Sequence, residues 1–420
     1  MLRFKKRGLL SLVLALCLIL AAVPAMADLL YTGSEGGFAS VGSISGTSAI
    51  SKGLINVSAG SGQGLYAFTN AAGARRIMLT TQSTIAGTPD TAYIYGYDAE
   101  NWNLDENRVA AVALAGVNVE RGAAQLGGYL YMASYGASGS GAVVKFDTAG
   151  DAYTAVASFD LTAEAGEGYL MHAETIVAYG GSLYVVASKH PVGNYTTYEN
   201  NVLYKLSAND LSIEKKAPLL SKNRDGQCTN LLSGSDLYVT SNPGYGFGTP
   251  EIEKISLSDM TSKLLITGTM GDFDFASIYQ TPDGSVYITS YLYNYDSGEN
   301  DYKVYKTTLE KLNAGDITSA DVIKEGSGTY ALAKMAYDTE SSLLWVQAGG
   351  LFAYDGTKFL NEEGYKSDVL GCTASHLLAV TYLGKPVPSG DGGSSGGCSA
   401  GFAWLALLAV APLAFYRRKR

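Results

Sequence analysis

A short run built around an aromatic residue returns at near-constant spacing along this chain. The clearest copies are Gly128–Ser134, Gly181–Ala187, Ser235–Ser241 and Gly284–Ser290. Their shared aromatics, Tyr131, Tyr184, Tyr238 and Tyr287, lie 53, 54 and 49 residues apart, and Trp345 in Ser342–Gln347 follows 58 further on. Each copy is followed by a second run bearing a lysine or an aromatic: Val143–Asp147, Val202–Leu206, Ile252–Ile255, Val304–Lys306 and Leu351–Asp355. Other runs precede them, such as Glu174–Ala178 and Phe275–Tyr279. The runs alternate apolar and polar positions, as half-buried strands do. Gly127-Gly128, Gly180-Gly181, Gly234-Ser235-Asp236 and Pro282-Asp283-Gly284 supply reversals between them.

Three or four short strands per unit cannot bury two apolar faces alone, but tandem units can bury each other's. The pattern therefore predicts an all-β fold, a single β-propeller over residues 28–385. Leu29–Tyr31 and Arg76–Thr80 are weaker copies; counting both gives seven blades, the favoured number, and dropping one gives six. Leu377–Tyr382 is placed to pair with Leu29–Tyr31 and close the ring without a free edge. An array of two or three β-sandwiches is the competing architecture, and the even period without a linker speaks against it. Helix is confined to a turn or two at Thr162–Ala165 and Leu309–Leu312.

The two ends differ from the body. Arg3, Lys5, Lys6 and Arg7, an apolar run from Leu9 to Val23, and Ala25-Met26-Ala27 predict a signal peptide over residues 1–27, cleaved after Ala27. Residues 386–397 read as a Gly/Ser-rich tether. Residues 398–420 carry an apolar stretch, Gly401–Tyr416, and a basic tail, Arg417–Arg420. Sixteen helical residues span about 24 Å, short of the roughly 30 Å of a hydrocarbon core. Gly396-Gly397-Cys398, the apolar stretch and the basic tail together resemble the C-terminal sorting signals of Synergistetes. That resemblance implies a transmembrane or sorting helix, processing near Gly397 and Cys398, contact with export and sorting machinery, and anchoring at a cell surface or outer membrane. The repeats resemble the Tyr-rich propellers of secreted bacterial surface proteins. They do not follow the Gly-His…Trp-Asp or kelch patterns, and the resemblance carries no catalytic residue with it.

Without the end segments, 22 basic residues stand against 39 acidic ones, a net charge of −17. Such a surface lacks the basic footprint that nucleic acid requires. Export would permit a Cys228–Cys372 disulfide, and two separate thiols are equally compatible.

In a propeller, the first strand of each blade lines the central channel. Residues near the start of those strands are candidates to converge there: Glu120 and Arg121, His172 and Glu174, Gln227 and Asn230, Asp272 and Asp274, and Lys334. His172 and Glu174, two apart on a strand, share a face and could act as base and orienter or ligate a metal. Glu174, Asp272 and Asp274 are oxygen donors of the kind Ca²⁺ takes. Asp296, Glu299, Asn300 and Asp301 lack calcium-loop spacing and read as a solvated loop. Aromatic clusters at Tyr195 and Tyr198, at Tyr245 and Phe247, and at Tyr291, Tyr293 and Tyr295 suit sugar or protein recognition. Gly60–Gly64 reads as a turn, and Gly139-Ser140-Gly141 as a low-complexity turn rather than a nucleophile elbow.

Three functions fit. One is a surface-displayed binding or adhesion module for an extracellular glycan or protein, with His172, Glu174, Asn230, Asp272, Asp274, Tyr245 and Tyr293 as ligand-binding candidates. The second is a secreted metal-assisted enzyme of lyase, glycosidase or lactonase type. The third is a non-catalytic envelope scaffold. Propellers host all three.

Overall fold

The computed structural model describes residues 29–382, apart from 34–37, 46–47, 56–60, 83–90, 100–107, 116, 137–138, 151, 195, 223–229, 242–248, 269–273, 295, 329–333, 340, 349, 363 and 365–376. Within them the chain is a β-propeller of antiparallel sheets. Strands β1 (Leu29–Gly33), β2 (Phe38–Ser45) and β3 (Ser48–Ile55) open the chain. The second sheet is β4 (Ser61–Thr69), β5 (Arg75–Gln82), β6 (Thr91–Asp98) and β7 (Arg108–Ala115). The third is β8 (Val117–Leu126), β9 (Tyr129–Gly136), β10 (Ala142–Asp147) and β11 (Thr154–Asp160), and the short helix α1 (Thr162–Ala165) follows it. The fourth is β12 (Tyr169–Tyr179), β13 (Ser182–Pro191), β14 (Asn200–Ser207) and β15 (Ile213–Lys222). The fifth is β16 (Leu231–Ser233), β17 (Asp236–Ser241), β18 (Glu251–Ser256) and β19 (Thr261–Thr267). The sixth is β20 (Asp274–Gln280), β21 (Ser285–Asn294), β22 (Glu299–Thr308) and β23 (Val322–Gly328), with helix α2 (Leu309–Ala314) between the last two. The seventh has three strands, β24 (Met335–Asp338), β25 (Leu343–Gln347) and β26 (Leu351–Tyr354).

The final strand, β27 (Leu377–Tyr382), joins the first sheet in the order β27-β1-β2-β3, so six of the seven sheets have four strands. Leu29 pairs with Tyr382 and Tyr31 with Val380. Sheet neighbours touch in sequence, and β24 touches β27, which closes the ring. First strands of neighbouring sheets contact one another, as β27 does β4, β4 does β8, β8 does β12 and β20 does β24. They are therefore the inner strands.

The repeat has a physical explanation in the stacking of sheets. Tyr131, Tyr184, Tyr238 and Tyr287 are all buried in second strands. Each faces a lysine of the third strand: Lys145, Lys205, Lys254 and Lys306. Several of these groups reach the outer turn of the next sheet. Tyr131 Oη donates to the Ala208 carbonyl at 2.6 Å, and Lys145 Nζ donates to that of Asn209 at 2.8 Å. Tyr238 Oη donates to Asn313 Oδ1 at 3.0 Å, and Lys306 Nζ to the Gly356 carbonyl at 2.7 Å. Tyr131 and Tyr238 thus bury their rings between sheets while their hydroxyls meet a partner, the arrangement that favours tyrosine over phenylalanine at such a position. Gly180 and Gly181 have φ of 58° and 83°, the left-handed pair that a two-residue hairpin between β12 and β13 demands.

Two expectations are corrected. Among the described residues no helix is long and apolar enough to cross a membrane, and the longest of their helices, α2, has six residues. The expected C-terminal membrane or sorting helix therefore does not stand, nor do the anchoring, membrane contact and surface localisation built on it. Gly401–Tyr416 lies outside the described residues, as do Ala27, Gly397, Cys398, Cys228 and Cys372. Its short apolar run was already marginal against a bilayer. Gly60–Gly64 is not a turn: from Ser61 onward it is the start of inner strand β4.

Candidate functional site

Five of the inner strands carry an irregularity near their starts. A single extra residue interrupts the pairing at Gln63 in β4, Arg121 in β8, Glu174 in β12 and Leu378 in β27, and β20 sets Ala276 and Ser277 against one partner. Such bulges re-aim side chains. In the third and fourth sheets they bring two charges together. Arg121 Nε lies 3.6 Å from Glu174 Oε2, with both side chains largely buried. The Ser188 hydroxyl donates to Glu174 Oε1 at 2.7 Å.

Beside this pair lie two histidines, each 0 % exposed. His172 on β12 and His190 on β13 face each other with Nε2 atoms 3.0 Å apart. The Tyr135 ring stacks on His172 at 3.6 Å between centroids, 10° from parallel, and the Arg121 guanidinium is 5.0 Å from the Tyr135 ring centre. Tyr198 packs on His190 at 5.3 Å.

The hydrogen bonds assign the tautomers. The Gly136 N–H donates to His172 Nδ1 at 3.3 Å, so that nitrogen carries no proton. The neutral ring is then protonated on Nε2 and donates to His190 Nε2. His190 in turn is protonated on Nδ1, which donates to the Pro191 carbonyl at 2.9 Å. Burial, reinforced by His190 and the Arg121 cation, pushes the His172 pKa down from 6.5 to about 3. The pair forms a hydrogen-bond chain running from one backbone group to another. Each lone pair that could take a substrate proton or bind a metal is already accepting a hydrogen bond. These residues do not fit a metal centre in this arrangement. Among the described residues no group of three or more His, Cys, Asp or Glu could hold one.

Asn230, just before β16, donates through Nδ2 to Thr175 Oγ1 on β12, linking the fifth sheet to the fourth at the same level. Tyr293 is 36 % exposed on β21. Glu299, Asn300 and Asp301, expected in a solvated loop, belong to β22. Asp274 starts β20 opposite Tyr291, and Lys334 precedes β24. Asp272, Gln227 and Tyr245 lie outside the described residues, so the Ca²⁺ set of Glu174, Asp272 and Asp274 is not brought together by anything on view. Ser140 Oγ accepts the Met171 N–H at 3.1 Å, a structural role for the Gly139–Gly141 segment.

His190, Tyr135 and Ser188 were not singled out in the sequence. A signal for His190 existed: a hairpin folded at Gly180-Gly181 sets residues near 190 against residues near 172. The bulge at Glu174 then shifts the register so that His172 faces Ser188 and Leu170 faces His190.

No family model matches the chain, and no curated protein matches it. The C-terminal likeness to a sorting signal thus gains no support. Solved structures do match. A candidate 6-phosphogluconolactonase of Bacteroides fragilis NCTC 9343 is similar over 86% of this chain and 99% of its own, at 11% identity and a TM-score of 0.53. The Dos1 propeller matches over 80% of this chain and 84% of its own, at 12% identity and a TM-score of 0.46. A neuraminidase-like protein from A/bat/Guatemala/164/2009 matches over 79% and 93%, at 9% identity and 0.43. At such identities the likeness is one of fold, a propeller scaffold able to host binding or catalysis.

Proposed function

We propose that this chain is a ligand-binding propeller rather than a catalyst, and that it recognises a glycan or a protein at one mouth of the ring. The closed hydrogen-bond chain through His172 and His190 carries this reading. It occupies the lone pairs that general-base or metal chemistry at the channel would need. The recognition surface is supported by the length of the β21–β22 ribbon. In the fourth sheet, pairing between the second and third strands ends at Ala187 with Val202. In the sixth it passes the equivalent pair, Ser290 with Lys303, and continues four further pairs to Asn294 with Glu299. At about 3.3 Å per residue the ribbon overshoots by roughly 13 Å. It carries Tyr291 and Tyr293 on one face; Tyr291 packs against the core between the sixth and seventh sheets, and Tyr293 stands 36 % exposed beyond it. Asn230, just before inner strand β16, lies at the same mouth.

The test is a glycan array and a set of immobilised proteins probed with the full chain, with Tyr293→Ala and His172→Gln alongside. Tyr293→Ala should weaken binding at least tenfold and His172→Gln should leave it unchanged. The chain should hydrolyse no lactone, including the phosphogluconolactone named for the Bacteroides protein, and no glycoside, above buffer. Turnover that disappears in His172→Gln would overturn the proposal in favour of an enzyme.

A further inference from the structure

Alternation along β12 and β13 sends His172 and His190 to one face of the fourth sheet and Met171 and Lys189 to the other. On that second face Met171 pairs with Lys189, Val202 with Pro218, and Tyr204 with Lys216. With Glu164 of α1 they line an open pocket of about 260 Å³. Its walls are mainly apolar, from Met171, Val202, Ala217 and Pro218.

The charges in it do not balance. Lys216 Nζ pairs with Glu164 Oε2 at 2.8 Å, and the same oxygen accepts from Tyr204 Oη at 3.2 Å. Burial and Glu164 both push the Tyr204 phenol up, so it remains a donor. Lys189 is half-buried, and its ammonium lies 4.6 Å from the Tyr169 ring centre. Among the described residues no carboxylate pairs with Lys189. Two ammonium groups and one carboxylate thus leave a local charge of +1, in a chain that carries a net charge of −17 without its end segments. A partly desolvated cation is stabilised by an anion that enters beside it. The volume lies below the roughly 300–1,000 Å³ of drug-sized sites, which limits the occupant to about one ring or one side chain.

We propose that this pocket binds a small carboxylate, with its charge on Lys189 and its apolar body against Val202, Ala217 and Pro218. An acidic sugar and an aromatic or aliphatic acid share this chemistry. The site is remote in sequence from the β21–β22 ribbon, and its binding does not depend on recognition there.

The experiment is calorimetric titration of the full chain with glucuronate against glucose, and with benzoate against benzamide. At least one acid should bind while its neutral counterpart does not. Glucuronate alone points to an acidic sugar, and benzoate alone to an aromatic acid; both support the site. Lys189→Met should weaken binding at least tenfold, Lys189→Arg should restore most of it, and Ala217→Phe should block it without changing any charge. Tyr293→Ala should have no effect, which separates this site from the ribbon. Failure of both acids to bind the wild-type chain overturns the proposal, as does equal binding of acid and neutral partner or full binding by a folded Lys189→Met.

Discussion

Lowering the pH from 8 to 5 should destabilise this fold through His172 in a way that one substitution removes. In the unfolded chain the imidazole titrates near 6.5; in the folded chain it resists protonation until about 3. A falling pH therefore protonates the unfolded state first. The stability that the neutral ring contributes is complete above about pH 7.5 and is lost progressively down to the folded value. Each pH unit below 6.5 costs roughly 1.4 kcal/mol. Between pH 8 and pH 5 the loss assigned to His172 is about 2 kcal/mol, a large share of a net stability of roughly 5–15 kcal/mol. Urea unfolding at pH 8, 7, 6 and 5 measures it, with the slope against urea checked for constancy. In His172→Gln the amide still donates towards His190 but cannot be protonated. The variant starts less stable and should lose about 2 kcal/mol less than the wild type over the same pH range. The difference between the two chains cancels the contributions of other titrating groups. If both lose the same stability within about 0.5 kcal/mol, the ring is not held neutral and the tautomer assignment falls with it.

Other outcomes follow from the same contacts. Lys145→Met removes the bond to the Asn209 carbonyl of the next sheet and should cost about 1–3 kcal/mol in urea unfolding, while Tyr131→Phe, which loses only its hydroxyl bond, should cost about 1 kcal/mol. Arg121→Met leaves the buried Glu174 carboxylate without its cation and should cost about 3 kcal/mol; a double-mutant cycle with Glu174→Gln should recover a good part of that. Gly141→Ala drives a Cβ into the Ser134 backbone carbonyl, which cannot swing aside, and should lower stability by about 2–3 kcal/mol by thermal unfolding. A chain ending at His376 lacks β27 and leaves the edge of β1 unpaired. It should elute from size exclusion as oligomers through that edge, and a monodisperse, fully stable monomer would contradict the closure.

Much of the scaffold was legible in the chain. The copies centred on Tyr131, Tyr184, Tyr238 and Tyr287 are second strands, the lysine-bearing runs are third strands, and Leu377–Tyr382 pairs with Leu29–Tyr31. These features depend on period and alternation, which a one-dimensional pattern carries. The His172 environment was only half legible. Its neighbour His190 depends on the register of one hairpin and on a one-residue bulge, and neither changes the residue types around it. The link from Arg121 to Glu174 joins equivalent positions one repeat apart in neighbouring sheets; the period placed both at the channel, and only the bulges set one charge against the other. Gly60–Gly64 misled for a related reason. Glycine marks turns, but it also fits the bulged start of an inner strand.

The chain alone determined that this protein is a ring of small sheets. Each unit carries apolar residues on both faces and must stack on its neighbours to leave water, whatever the details of its loops. Only the tertiary structure decided what the polar residues inside that ring do. It turned His172 from a candidate base into a neutral member of a closed hydrogen-bond chain, and it set Lys189 on the opposite face over a pocket. Protonation and charge balance depend on what lies within a few ångströms, and in a propeller those neighbours come from other strands and other sheets.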